Sequence, residues 1–173
     1  VLQSDGKIVV GAHSLDSWTG AYSFTVLRYT TAGVLDATFN TTGYKNINLG
    51  CSNFGDYNSM PYGGVALQSD GKILFAGSYG ISQATRDMIC IRLNTDGKLD
   101  STFNGVAYKT IDLSGNEDFA NDVTVDNNGK ILLAGKRYYY AAVARLNPSG
   151  TLDSTFGSNG STYFDLGNSA YCN

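Results

Sequence analysis

The sequence predicts an all-β protein made of repeated four-stranded antiparallel sheets, and three observations predict it. One composite motif occurs three times in the same order, the apolar segments are short, and the polar residues between them are those of turns. Of 15 acidic side chains only Glu117 is a glutamate. Asp and Asn bond their own backbone in turns whereas Glu favours helices, so helix is nearly excluded. With 21 Gly and 2 Pro the turns rest on Gly, Asn and Asp. The 173 residues are enough chain to bury a core without staples. No apolar run approaches the ~20 residues of a membrane-spanning helix. A net charge of -3 argues against nucleic acid or anionic lipid as a partner.

The first element of each unit is a short strand closed by a Gly turn. Val1-Leu2-Gln3-Ser4-Asp5-Gly6-Lys7-Ile8 returns as Ala66-Leu67-Gln68-Ser69-Asp70-Gly71-Lys72-Ile73, and again as Thr124-Val125-Asp126-Asn127-Asn128-Gly129-Lys130-Ile131. Asp-Gly and Asn-Gly between apolar runs are strong hairpin signals. The second element, such as Ile73-Leu74-Phe75-Ala76, and the third, such as Met88-Ile89-Cys90-Ile91, are apolar on both faces, which predicts strands sandwiched between other layers. A turn block follows: Gly33 to Phe39, Gly97 to Phe103 and Gly150 to Phe156. The fourth element closes each unit at Lys45 to Leu49, Lys109 to Leu113 and Tyr163 to Leu166.

Four-stranded units of about 40–60 residues, each covered on both sides by its like, describe β-propeller blades. β-Solenoid rungs are much shorter. The blades are placed at residues 1–62, 63–120 and 121–173. Known propellers need about four to eight blades to close. A partial propeller is therefore expected, completed by further blades of the same chain or by a second copy. The mid-strand start at Val1 is read as that of a mature or truncated piece of a longer chain.

The motifs Leu67-Gln68-Ser69-Asp70-Gly71-Lys72-Ile73 and Arg92-Leu93-Asn94-Thr95-Asp96-Gly97-Lys98-Leu99-Asp100-Ser101-Thr102-Phe103, with Asn147 to Gly157, resemble the delta-60 repeat. The resemblance covers essentially the whole chain. It implies a propeller of unassigned function in exported bacterial proteins, hence an extracellular or cell-surface setting. Thr30-Thr31-Ala32-Gly33 departs from the family's turn in the first unit, and Asp126-Asn127-Asn128 departs in the third.

Residues present in every copy are expected to serve the blade. Arg28, Arg92 and Arg145 each stand eight before Asp36, Asp100 and Asp153, a spacing that predicts a structural ion pair across the turn between strands three and four. Asn94 to Asp100 faintly matches a calcium loop but lacks the bidentate Glu, so it reads as an Asx turn and no metal or cofactor is expected.

Function is expected in what does not repeat. In an up-down blade the recurring turns share one end and the variable loops share the other, where a rigid fold displays a binding site. The candidates are His13, Trp18 and Tyr22 in the first unit, then Phe54, Asp56, Tyr57 and Tyr62. Tyr79, Glu117, Asp118, Arg137 and Tyr139 complete the set. Aromatics with amides and carboxylates suit glycan or protein surfaces. This predicts non-catalytic recognition, with a purely structural unit of a surface layer, sheath or adhesin stalk as the alternative. A glycan-cleaving site around Glu117 and Asp118 is the remaining possibility. Of three cysteines, Cys90 reads as a buried apolar residue, while Cys51 and Cys172 follow fourth strands and are disulfide candidates without an assigned partner.

Overall fold

The computed structural model describes residues 1–15, 22–51, 63–80, 86–113, 115 and 117–165. These form three sheets and, among the described residues, no helix. The first sheet is β1 (Ile8–Leu15), β2 (Tyr22–Tyr29) and β3 (Tyr44–Cys51). The second is β4 (Val65–Leu67), β5 (Ile73–Tyr79), β6 (Asp87–Leu93) and β7 (Tyr108–Ile111). The third is β8 (Asp118–Val125), β9 (Ile131–Arg137), β10 (Tyr140–Leu146) and β11 (Ser161–Phe164). Within each sheet, neighbours in sequence are neighbours in space and antiparallel, the up-down order of a propeller blade.

Two expectations need correction. The first sheet has three strands, because Leu2 makes only an isolated bridge to Ile8. The short run before the Gly6 turn is held by the Val1 amino group donating to the Val9 carbonyl at 2.7 Å. The third unit also begins earlier than residue 121: Asp118, Phe119 and Ala120 already pair with β9. A register shift between Ala120 and Asp122 interrupts the alternation there, which disguises the strand in the sequence.

The hairpin turns follow from their glycines. Gly71 sits at φ +80°, and its N–H donates to the Gln68 carbonyl at 2.9 Å. Gly6 and Gly129 repeat the bond at 2.9 Å. Alternate strand residues face opposite ways, so each residue of β5 belongs to one of two cores. Ile73 and Phe75 pack with Val9, Phe24, Val26 and Ile47 of the first sheet. Leu74 and Ala76 pack with Val123, Ile131, Leu133 and Ala144 of the third. The doubly apolar strands are therefore the middle layer of a three-layer stack.

A second contact joins successive units at the end of the recurring turns. The fully buried Phe39 lies against Gly97 of the next unit, and Phe103 lies against Gly150. A Cβ on Gly97 would meet the Phe39 ring at 2.8 Å, and one on Gly150 would meet Phe103 at 2.7 Å. Asn40 N–H donates to the Asp96 carbonyl at 2.7 Å, and Asn104 N–H to that of Ser149 at 2.8 Å. Phe156, the third copy, is only partly buried. Phe103→Ala is expected to destabilise the chain by about 3–5 kcal/mol, and Phe156→Ala by clearly less. Urea unfolding of the two variants measures the difference.

Candidate functional site

At the constant end each unit builds one polar node. Arg28 Nε donates to Asp36 Oδ2 at 2.8 Å, and Arg92–Asp100 and Arg145–Asp153 repeat that distance. The other carboxylate oxygen accepts Thr38 Oγ1 at 2.6 Å, with Thr102 and Thr155 in the same role. Lys7 stands 3.2 Å from Asp36, Lys72 3.0 Å from Asp100 and Lys130 2.9 Å from Asp153. Sequence reasoning paired the Arg and Asp but missed the lysine, whose signal is the Gly-Lys that recurs in every unit. Each guanidinium also lies over the Phe ring of its own unit, at 4.7 Å for Phe39 and 4.6 Å for Phe103 and Phe156.

These carboxyls are held well below the usual range. The Thr38 hydroxyl is the main cause for Asp36, and the Lys130 ammonium for Asp153. For Asp100 burial is the largest influence and works upward, yet Thr102, Lys72 and Arg92 together outweigh it. The Asp96 turn is closed by Lys98, whose Nζ stands 2.9 Å from the carboxylate and whose N–H donates to it at 3.1 Å.

At the variable end the expected residues separate. His13 is not in a loop: it lies in β1, on the same face as Val9 and Gly11. Its ring is 5.3 Å from Phe24 and 5.8 Å from Phe75, and burial pushes its pKa down. Tyr79 is the last residue of β5, and its hydroxyl donates to the Leu49 carbonyl at 3.1 Å, tying the second sheet to the first. Asp118, also expected in a loop, opens β8 and is 0% exposed. Tyr22 opens β2 and pairs with Leu15 and with Cys51, the last residue of β3. Trp18, Phe54, Asp56, Tyr57, Tyr62 and Cys172 lie outside the described residues. Cys90 is buried between the second and third sheets, and its thiol is pushed up to about 12 by burial.

Beside Arg137 and Tyr139 stand Tyr138 and Tyr140 of the same short segment, and Tyr163 of β11, which no sequence pattern had joined to them. Tyr138 and Tyr139 form the tip between β9 and β10, with ring centroids 3.8 Å apart, and are 46% and 54% exposed. Tyr138 sits at φ +52°, and its N–H donates to the Glu117 carbonyl at 2.7 Å. The Arg137 guanidinium lies 4.1 Å over Tyr163, which stands 5.7 Å from Tyr140. An exposed aromatic surface with one cation thus crowns the third sheet.

The carboxylates acting on Asp118 are those of Asp112 and Asp87, from the ends of β7 and β6, and Glu117 is not among them. One oxygen of each of the three Asp lies within 4.8 Å of the others. Asp118 Oδ2 accepts the Leu113 N–H at 2.6 Å. Burial first, then Asp112 and Asp87, push the Asp118 carboxyl up to about 6, and burial raises Asp87 as well. Neither Asp87 nor Asp112 stands out in the sequence, because each sits alone in its own motif.

Residues 3–39, 68–103 and 127–156 match the family model described as a domain of unknown function, DUF5122, of β-propeller type. Each matched stretch runs from a Gly-turn hairpin to the recurring Phe of one unit, and together they span more than half of the chain. No curated protein matches it.

The polar nodes set the acid response. A carboxyl whose pKa is lower folded than unfolded stabilises the fold above its unfolded value near 3.9, and that contribution fades as pH falls toward the folded value. Resistance to urea is therefore expected to fall steeply below about pH 4. Asp100→Asn should lower the neutral-pH value and flatten the acid slope, which a series of urea midpoints against pH would read directly.

Proposed function

We propose that this chain, which belongs to the DUF5122 β-propeller family, is a non-catalytic recognition module that binds a glycan or protein surface outside a bacterial cell. The observation carrying this reading is the contrast between the two ends of the stack. At one end the same Arg, Asp, Thr and Lys bonds recur in every unit. At the other, Tyr138 and Tyr139 stand exposed beside Arg137 and Tyr163. Tyr rings present flat apolar area at little entropic cost, with a hydroxyl to bond a sugar or backbone group. The test is binding of the purified chain to a glycan array and to bacterial surface proteins. Combined Tyr138→Ala and Tyr139→Ala should leave the melting temperature nearly unchanged and remove binding. Binding that survives both changes would overturn the assignment.

A second reading, a structural unit of a surface layer, sheath or stalk, is favoured by the uncovered faces of the outer sheets. Eight residues beyond the Phe of each unit stand Ile47, Ile111 and Phe164. The first two are 3% and 4% exposed beneath the following sheet, whereas Phe164 is 67% exposed. On the first sheet Ile8 and Val10, in the places of the buried Ile73 and Phe75, are 40% and 39% exposed. In this reading the isolated chain meets a second copy head to tail, Phe164 of one facing Ile8 and Val10 of the other. Light scattering should then give about twice the 18.5 kDa of one chain, and Phe164→Asp should return the single mass. A wild-type monomer at high concentration counts against it.

A further inference from the structure

The junction of the second and third sheets carries a feature that recognition does not use. We propose that Asp87, Asp112 and Asp118 form a binding site for a divalent cation of the calcium type. The topology makes the grouping. Met88 of β6 pairs with Ile111 of β7, so Asp87 and Asp112 leave the second sheet at the same end. The Asp118 N–H donates to the Arg86 carbonyl at 2.8 Å, which fixes the start of β8 against that end. Carboxylates from the start of β6, from the residue just after β7 and from the start of β8 thereby place oxygens within 4.8 Å of one another.

Acidic clusters are common on protein surfaces, but one member of this cluster is not on the surface. Asp118 is 0% exposed, and while Oδ2 accepts the Leu113 N–H, Oδ1 has no hydrogen-bond partner. A buried carboxylate oxygen without a donor is rare in folded proteins, because desolvation removes its water and returns nothing. Among the described residues no ion pair reaches Asp118 within 4.0 Å, and the more distant Arg137 guanidinium, which favours its charge, leaves burial and the two other carboxylates dominant. A cation beside Oδ1 satisfies this atom and relieves the repulsion among the three groups. Asp112 is exposed and gives the ion a path from solvent.

The donor set selects the ion. Carboxylate oxygens alone favour hard cations over zinc or copper. Calcium, with bonds of about 2.4 Å, holds opposite oxygens nearly 5 Å apart, whereas magnesium, with bonds of about 2.1 Å, draws them to about 4.2 Å. Oxygens that all lie within 4.8 Å of one another can reach one ion of either kind, and what favours calcium is its tolerance of irregular, partly hydrated coordination, where magnesium demands a near-ideal octahedron. The competing account of the same geometry is a proton shared among the three acids, for which the raised Asp118 carboxyl also speaks.

Calorimetric titration of the chelator-treated chain with calcium chloride separates the two, with thermal melting in parallel. The site predicts one ion per chain with a dissociation constant of about 0.1–1 mM, the range of extracellular modules, and weaker binding of magnesium. Melting temperature should rise with calcium. Asp112→Asn, at an exposed position, should fold normally and weaken binding at least about tenfold, and Asp118→Asn should abolish it. Absence of both heat and thermal shift at about 10 mM calcium would overturn the site, as would unchanged affinity in Asp112→Asn. An Asp118→Asn chain that melts higher, alongside a wild type indifferent to calcium, would assign the cluster to a proton.

Discussion

A single guanidinium per unit connects everything at the constant end of the stack. Arg92 gives Nε to Asp100 and Nη2 to Thr102 within its own turn, and Nη1 to the Pro148 carbonyl of the next unit at 2.7 Å. Arg28 does the same toward the Thr95 carbonyl, also at 2.7 Å. The rigid fork of five donors is what allows one side chain to set both the local turn and the placement of a neighbour. Lysine, a flexible point charge, adds attraction to Asp36, Asp100 or Asp153 and reaches a second partner within its own unit, Asp5, Asp70 or Asn147. The Phe ring beneath the guanidinium fills the space against the neighbour's Gly, so the polar and apolar contacts lock the same pair of units.

Such nodes are not simple sources of stability. Removing an Arg–Asp pair from water costs much of what the charges regain, and the net gain is small unless every donor and acceptor is used. Here they nearly all are: each Asp takes Arg, Lys and a Thr hydroxyl, and the Thr N–H completes the turn. The third unit marks the contrast. The Arg145 side chain is 25% exposed where Arg28 and Arg92 are 8% and 7%, and among the described residues no turn of a neighbouring unit accepts from it as Thr95 and Pro148 accept from the other two. The node is thus a specificity device, and it works fully only when another unit stands beside it.

The periodic part of the molecule was legible in the sequence, and the aperiodic part was not. Recurrence of Asp-Gly-Lys, of Arg eight before Asp and of the doubly apolar strands gave the sheets, their order and the ion pairs, because each depends on short spacings within one unit. His13 and Tyr79 were read as loop residues because polar or aromatic side chains follow apolar runs there. In the fold β1 and β5 continue through them, and strand alternation turns His13 toward Phe24 and Phe75. The acid cluster was invisible for another reason. Asp87 and Asp118 come from different units, and only the packing of one sheet on the next brings them within reach of Asp112.

That packing also couples the two features of the variable end. Glu117 and Asp118 are consecutive: the Glu117 carbonyl receives the Tyr138 N–H, while the Asp118 side chain is buried against the end of the second sheet. The exposed tyrosine tip is therefore anchored through one peptide unit to the junction between sheets. Tyr138 holds a left-handed backbone conformation that a residue with a side chain adopts reluctantly. The Leu113 N–H on the Asp118 carboxylate and the Asp118 N–H on the Arg86 carbonyl hold the start of β8, next to the Glu117 carbonyl that receives the tip. A scaffold that is uniform at one end thus delivers a defined aromatic surface at the other through a few backbone bonds, without any repeat of the surface itself.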